Sequence, residues 1–182
     1  MPSRHILTIV IHCSASANGV LLARPDRPGV AAKTAAMVID GWHQARHFLR
    51  DAAAAARFNP HLKHVGYHYV IDVDGTIESA RHEDERGAHV QGRNYNSLGV
   101  CVVGTDSFTV NQWQALRLKC IDLLQKHPKA RLCGHRDLSP DLDRDGTVEP
   151  HEWLKTCPGF DVTEWWLQRS LKPMDQHIFK GQ

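Results

Sequence analysis

The hydrophobic pattern divides the chain into alternating strand-like and helix-like segments. Ile6 to Ile11 is an unbroken, β-branched apolar run, the pattern of a strand buried on both faces, and it delivers His12 to the rim of a sheet. From about Ala31 to Phe58, Met37, Ile39, Trp42, His43 and Phe48 alternate with polar positions and an alanine run covers 52–56. That stretch predicts mostly helix, with a bend at Gly41 and a stop at Asn59-Pro60. Two β-rich runs, Tyr67 to Val73 and Thr76 to Ala80, flank Asp74-Gly75 and predict a hairpin. Ser97 to Gly104 reads as another buried strand. Thr109 and Gln112 form a capping-box pair for a helix running to about His127, in which Trp113, Leu116, Cys120, Leu123 and Leu124 face the core. A short strand is expected over Ala130 to Cys133, and Asp161 with Glu164 caps a last helix carrying Trp165 and Trp166. With no repeat and no low-complexity linker, this alternation predicts an α/β fold, a central mixed β-sheet flanked by helices, as a single domain over residues 1–182.

Length and charge narrow the function. A chain of 182 residues fills one ordinary core and leaves little for a second module. The net charge of +2 gives no basic stripe of the kind that carries nucleic-acid affinity, so no nucleic acid is expected as a partner. No apolar run approaches the roughly 20 residues that cross a bilayer, so no stable membrane association is expected either. The amino-terminal run ends in His12 rather than a small-residue cleavage site, which reads as a strand and not a signal peptide. Synthesis in the cytoplasm and a monomer are the corresponding expectations. Five cysteines, Cys13, Cys101, Cys120, Cys133 and Cys157, have no secreted framework spacing and read as reduced thiols with at most one metal thiolate.

Residues 141–152 read D-x-D-x-D-G-T-V-x-x-x-E, a full calcium-loop pattern. Asp141, Asp143 and Asp145 supply carboxylates at positions 1, 3 and 5, Thr147 a carbonyl at 7 and Glu152 a bidentate carboxylate at 12, while Gly146 permits the sharp turn. The competing interpretation is an acidic surface turn. Ser139-Pro140 precedes the loop directly, so the entering helix of a true EF-hand is missing, and the pattern reads as an EF-hand-like loop inserted into another fold.

On either side of that loop lie candidate zinc ligands. His12 ends the first strand, His135 follows the short strand and Cys157 stands in Lys155-Thr156-Cys157-Pro158-Gly159. Two imidazoles and a thiolate form a sound zinc ligand set that leaves a fourth position for water. Around them the chain carries Ile11-His12-Cys13-Ser14-Ala15, Gly66-Tyr67-His68-Tyr69, Asp74-Gly75-Thr76, Gly87-Ala88-His89, Tyr95-Asn96-Ser97-Leu98-Gly99-Val100, Gly134-His135-Arg136-Asp137 and Lys155-x-Cys157-Pro158-Gly159. In this order the motifs resemble those of zinc-dependent N-acetylmuramoyl-L-alanine amidases, the group of bacteriophage amidase-type lysozymes and peptidoglycan-recognition proteins. The resemblance runs from about Ile6 to Trp166.

It implies zinc (Zn2+) held by His12, His135 and Cys157 at the floor of a groove that binds bacterial peptidoglycan. It also implies a catalytic pair, Tyr67 and Lys155, and substrate contacts from His89 and Asn96. The implied reaction is zinc-activated hydrolysis of the amide between N-acetylmuramic acid and L-alanine of the stem peptide. An endolysin reaching the cell wall after membrane permeabilisation is the first expectation. A muropeptide-recycling or antibacterial effector amidase and a non-catalytic peptidoglycan-binding protein are the alternatives. The calcium (Ca2+) loop departs from the family's short interval between the second His and the Cys, and leaves Cys133 or His151 open as the third ligand. The intact Lys-x-Cys-Pro-Gly motif beyond it favours Cys157.

Overall fold

A computed structural model describes residues 4–168 and 171–181. In chain order the elements are β1 (Thr8–Cys13), α1 (Ala35–Gln44), α2 (Ala52–Arg57), β2 (Tyr69–Ile71), β3 (Ile77–Ser79), β4 (Ser97–Val102), α3 (Val110–Lys126), β5 (Arg131–Gly134) and α4 (Val162–Leu167), with short 3-10 turns between and after them. The strands form one mixed sheet in the order β3-β2-β4-β1-β5. β1 runs parallel to both β4 and β5, β2 runs parallel to β4, and only the edge strand β3 is antiparallel, closing the expected hairpin with β2.

Both faces of the sheet are covered, which is why β1 and β4 read as continuous apolar runs rather than alternating ones. Leu98, Val100 and Val102 of β4 join Ile9 and Ile11 of β1 against Trp113, Leu116, Cys120 and Leu123 of α3, with Phe160 and Trp165 completing that layer. Cys101 and Val103 point the other way, onto Ala35, Ala36 and Ile39 of α1 and onto Leu62 and Val65. The two buried indoles keep hydrogen-bond partners: Trp113 donates to the His177 carbonyl at 3.3 Å and Trp165 to the Lys172 carbonyl at 3.1 Å.

Local chemistry fixes the helix starts. Thr109 Oγ1 accepts from Gln112 N at 3.1 Å while Gln112 Oε1 accepts from Thr109 N at 3.0 Å, so the capping box forms as expected. Asp161 likewise accepts from Glu164 N at 2.7 Å to start α4.

The helix expected across residues 31–58 is instead split into α1 and α2, and Gly41 lies inside α1. His47 takes the left-handed conformation (φ 60) just after α1. The cause is Arg50, which is buried and must satisfy its guanidinium. It pairs bidentately with Glu85 (3.0 and 2.7 Å) and donates to the carbonyls of Phe58, Asn59 and Leu62 at 2.9, 3.1 and 2.7 Å. Those acceptors surround Arg50 only because the chain doubles back there.

Candidate active site

The carboxyl ends of two neighbouring parallel strands create the site. Ile11 of β1 is in register with Gly134, the last residue of β5, so His135 leaves β5 beside His12. The His135 N–H donates to the Ile11 carbonyl at 3.1 Å, and the two imidazole centroids are 4.7 Å apart. Crevices at the carboxyl ends of strands are where open α/β sheets place ligands.

Cys157 reaches the same point on a returning arm. Arg136 N–H donates to the Cys157 carbonyl at 2.9 Å, and Cys13 N–H donates to Cys157 Sγ at 3.2 Å. The Arg136 guanidinium lies 4.1 Å over the Trp153 ring and 2.8 Å from Asp161, bracing both sides of the arm. Gly134 is required by the close passage, since a Cβ there would stand 2.8 Å from Pro158 Cδ.

One donor atom from each of His12, His135 and Cys157 falls within 4.8 Å of the others. His12 Nδ1 lies 3.8 Å from Cys157 Sγ, while its Nε2 lies 3.0 Å from His89 Nδ1. A metal on His12 Nδ1 therefore leaves an Nε2–H to donate to His89, and His89 Nε2–H then faces Ser97 Oγ at 3.4 Å. With a metal on His12 Nδ1, this relay would fix both tautomers, as groups behind metal-bound imidazoles generally do. Gly99 makes room for it, because a Cβ there would meet the His89 ring at 2.7 Å.

Burial, then the fields of His89, His135 and Lys155, hold His12 well below the usual imidazole range. Burial and Lys155 bring His135 down to about 4. Both rings are neutral at physiological pH, with lone pairs free for a cation.

Two residues of this centre, His135 and Cys157, line a groove of about 530 Å³, while His12 is buried beside them. Tyr67 lines it with its ring 5.1 Å from His12, and Lys155 lines it from the returning arm. Burial holds the Tyr67 hydroxyl well above the usual phenol range, with the thiols of Cys101, Cys157 and Cys13 adding to the effect. The hydroxyl is a neutral donor. His89 lines the groove too, but it also backs His12, a relation that their separation of 77 positions conceals in the sequence.

Asn96 is not among the residues that line the groove. Its carbonyl accepts from Leu7 and Thr8 N–H at 2.8 and 3.3 Å, at the amino ends of the parallel strands and away from His12. Asn94 lines the groove instead, its Oδ1 accepting from His89 and Val90 N–H at 2.8 and 2.9 Å. Of the substitute ligands, Cys133 is buried with Val10 and Val90, and His151 groups with Asp143, Glu149 and Glu152. Sequence reasoning missed His43, Arg46 and Phe48, which form one wall. They belong to no motif with a chemical spacing, and a histidine facing the core of a helix gives no sign of its free edge.

In the acidic loop, carboxylate oxygens of Asp141, Asp143 and Asp145 come within 4.8 Å of one another. Glu152 is buried, with Oε1 accepting from Leu142 N at 2.5 Å and Oε2 from Glu149 N at 3.0 Å. Thr147 N–H and Oγ1 both donate to Asp145, at 2.8 and 2.7 Å. Glu149 Oε2 is buried with no partner, a carboxylate oxygen of the kind that a cation satisfies. Leu154 N–H donates to Ser139 Oγ at 3.1 Å and closes the base of the loop, and both residues line the groove.

Comparison with known proteins places this geometry. An uncharacterised protein of Haemophilus influenzae is 45% identical over 116 residues, covering 59% of this chain and 99% of that protein. The endolysin of Escherichia phage T7 is 37% identical over 120 residues, covering 62% of this chain and 70% of that endolysin. Among solved structures, the N-acetylmuramoyl-L-alanine amidase LysC from Clostridium intestinale superposes with a TM-score of 0.61 at 21% identity, over 92% of this chain and 86% of that one, a likeness of fold. The family model described as N-acetylmuramoyl-L-alanine amidase matches residues 2–160, and the chain belongs to that family.

Proposed function

We propose that this protein is a zinc-dependent peptidoglycan amidase of the endolysin kind, cutting between the lactyl carbonyl of N-acetylmuramic acid and L-alanine of the stem peptide. The observation that carries this reading is the convergence of His12, His135 and Cys157 within 4.8 Å of one another beside a groove that His135, Cys157, Tyr67 and Lys155 line. Two neutral imidazoles and a thiol match the ligand chemistry of zinc, and three protein donors leave a position open. Bound there, zinc supplies Lewis acidity that polarises the scissile carbonyl and acidifies water.

The chain's own groups do the rest. Lys155 brings an ammonium to the negative charge that develops on the carbonyl oxygen as the tetrahedral intermediate forms. The Tyr67 hydroxyl orients the attacking water by hydrogen bonding. His89 holds His12 in one tautomer and one orientation. Among the described residues no Asp or Glu lines the groove.

The acidic loop is a calcium site in this reading, with Asp141, Asp143, Asp145, Thr147 and Glu152 as ligands. The unpartnered Glu149 oxygen supports it, and the Ser139–Leu154 closure connects the loop to the groove rim. No described helix is long and apolar enough to cross a membrane.

The test is digestion of purified sacculi with mass analysis of the soluble products, in zinc-replete buffer and after chelation. Free stem peptides, released only with zinc, are the expected outcome. Glycan fragments that keep their stem peptides would reject the amidase, and binding without release would make the protein a peptidoglycan-binding module.

A further inference from the structure

Past α4 the described chain returns to the core. Leu171 and Met174 are buried in the same layer as Phe108, Trp113 and Phe160, and the Trp165 indole donates to the Lys172 carbonyl at 3.1 Å. Residues 174–179 then run as a strap alongside Phe108: Phe108 N–H donates to the His177 carbonyl and Phe179 N–H to the Phe108 carbonyl, both at 2.9 Å. The Trp113 indole donates to the same His177 carbonyl at 3.3 Å. Gly19 is needed where the strap ends, because a Cβ there would overlap the Phe179 ring. This strap lies beyond residues 2–160, so the family match does not account for it.

The strap bears on the arm that carries Cys157. Thr105 and Asp106, in the turn after β4, are exposed, so hydrogen bonds rather than core packing hold them. On one side Asn18 Oδ1 accepts from Thr105 N–H at 2.7 Å and Asn18 Nδ2 donates to Asp106 Oδ1 at 2.8 Å. On the other side His177 Nδ1 lies 2.7 Å from the Asp106 carbonyl oxygen. A carbonyl only accepts, so that bond places the His177 proton on Nδ1. Against this turn runs the backbone of Gly159, so close that a Cβ would stand 2.5 Å from the Thr105 carbonyl oxygen and 2.7 Å from Asp106 Cα. Gly159 N–H donates to the Thr156 carbonyl at 2.9 Å, closing the bend that presents Cys157. One residue on, the Phe160 ring lies 6.1 Å from the His177 ring. His177 therefore borders both the turn and the arm.

We propose that the C-terminal strap positions the metal centre: His177 fixes the Thr105–Asp106 turn, the turn fixes Gly159, and Gly159 fixes how Cys157 Sγ approaches His12 and His135. This rests on the zinc reading, with Cys157 as the third ligand. His177 is a positioning residue and not a ligand, since it reaches the centre only through the turn and the arm. A ligand arm that is loose before the metal arrives must be ordered as it binds, which costs affinity, and groups that hold metal ligands in place are typically worth roughly 10- to 100-fold.

The experiment measures the zinc affinity of the full chain by competition with a zinc-buffered indicator, beside a melt of each zinc-free protein. His177→Ala removes the bond to Asp106 and should weaken zinc binding by about 10-fold, the low end of that range because it acts through the turn. His177→Asn offers an amide N–H near the place of Nδ1 and should restore most of the affinity. Leu123→Ala, which empties a fully buried site at the far end of α3, is the control for general loosening. It should lower the melting temperature more than His177→Ala does and leave zinc affinity unchanged. Unchanged affinity in His177→Ala, an Asn variant as weak as the Ala variant, or an equal loss in Leu123→Ala overturns the strap's role and leaves the zinc centre standing. A protein that takes up no zinc, or whose Cys157→Ser variant binds it just as tightly, refutes the ligand reading itself and the strap's role with it.

Discussion

Cys157 is the one candidate zinc ligand carried by the returning arm rather than by the end of a strand, so its replacement tests the ligand set without changing a strand residue. Cys157→Ser is expected to lose zinc and activity while remaining folded, because an alcohol is a far poorer ligand than a thiolate at neutral pH. Metal analysis beside a circular dichroism melt reads both halves of that statement, and a variant holding stoichiometric zinc would return the choice to other donors. Lys155→Ala should lower kcat by about 10²–10³ with a much smaller rise in KM, since its charge is needed mainly as the intermediate forms. His89→Ala should cost roughly 10- to 100-fold in zinc affinity by freeing the His12 ring to turn, which titration against a zinc-buffered indicator measures. Legibility at this scale follows motif spacing. His12, Tyr67, His135, Lys155 and Cys157 stand in local motifs and could be named from the sequence. The bond from His89 to His12 spans 77 residues, and the wall of His43, Phe48 and Arg46 depends on how the end of α1 turns, so neither could be read there.

The elements that the sequence announced most clearly are those whose signals are local. The capping box at Thr109 and Gln112, the Asp161 cap and the Asp-Gly hairpin each depend on residues within a few positions, and each formed. The split between α1 and α2 was hidden because its cause is tertiary. Arg50 needs Glu85, 35 residues away, and that demand overrides alanine-rich helix propensity. The acidic loop lies between these cases: its pattern is legible, but its occupancy depends on a cation. Calcium should raise the melting temperature by binding only the folded loop, and Asp143→Ala combined with Glu152→Ala should abolish the gain. Calorimetry and paired melts with and without calcium check this, and absence of both heat and shift would leave a plain acidic turn.

Across the whole molecule, the buried Arg50–Glu85–Arg81 cluster joins the segment before the hairpin to the segment after it. Glu85 lies 2.7 Å from Arg50 and 3.3 Å from Arg81, with all three side chains almost fully buried. Glu85→Ala should destabilise the fold by about 3–5 kcal/mol in urea titrations, because it strands two guanidinium groups in the interior. Acid should act through the histidines before the carboxylates. Burial brings His68 down to about 3 and His43 to about 4, whereas an unfolded chain protonates both near pH 6.5. Between those values the unfolded state binds more protons, so stability should fall as the pH drops from about 6.5 toward 4, a window that pH-dependent melts resolve. The placement of the candidate ligands also has a consequence for biosynthesis. β1 pairs with β4 and β5, and the arm bearing Cys157 returns to His12 across 145 residues. Such non-local pairings form slowly, because loop closure must come before the contacts that reward it. A chain still emerging from the ribosome lacks its last candidate ligand, so on the proposed zinc mechanism lytic capacity is withheld until translation has passed Cys157 and the sheet has closed.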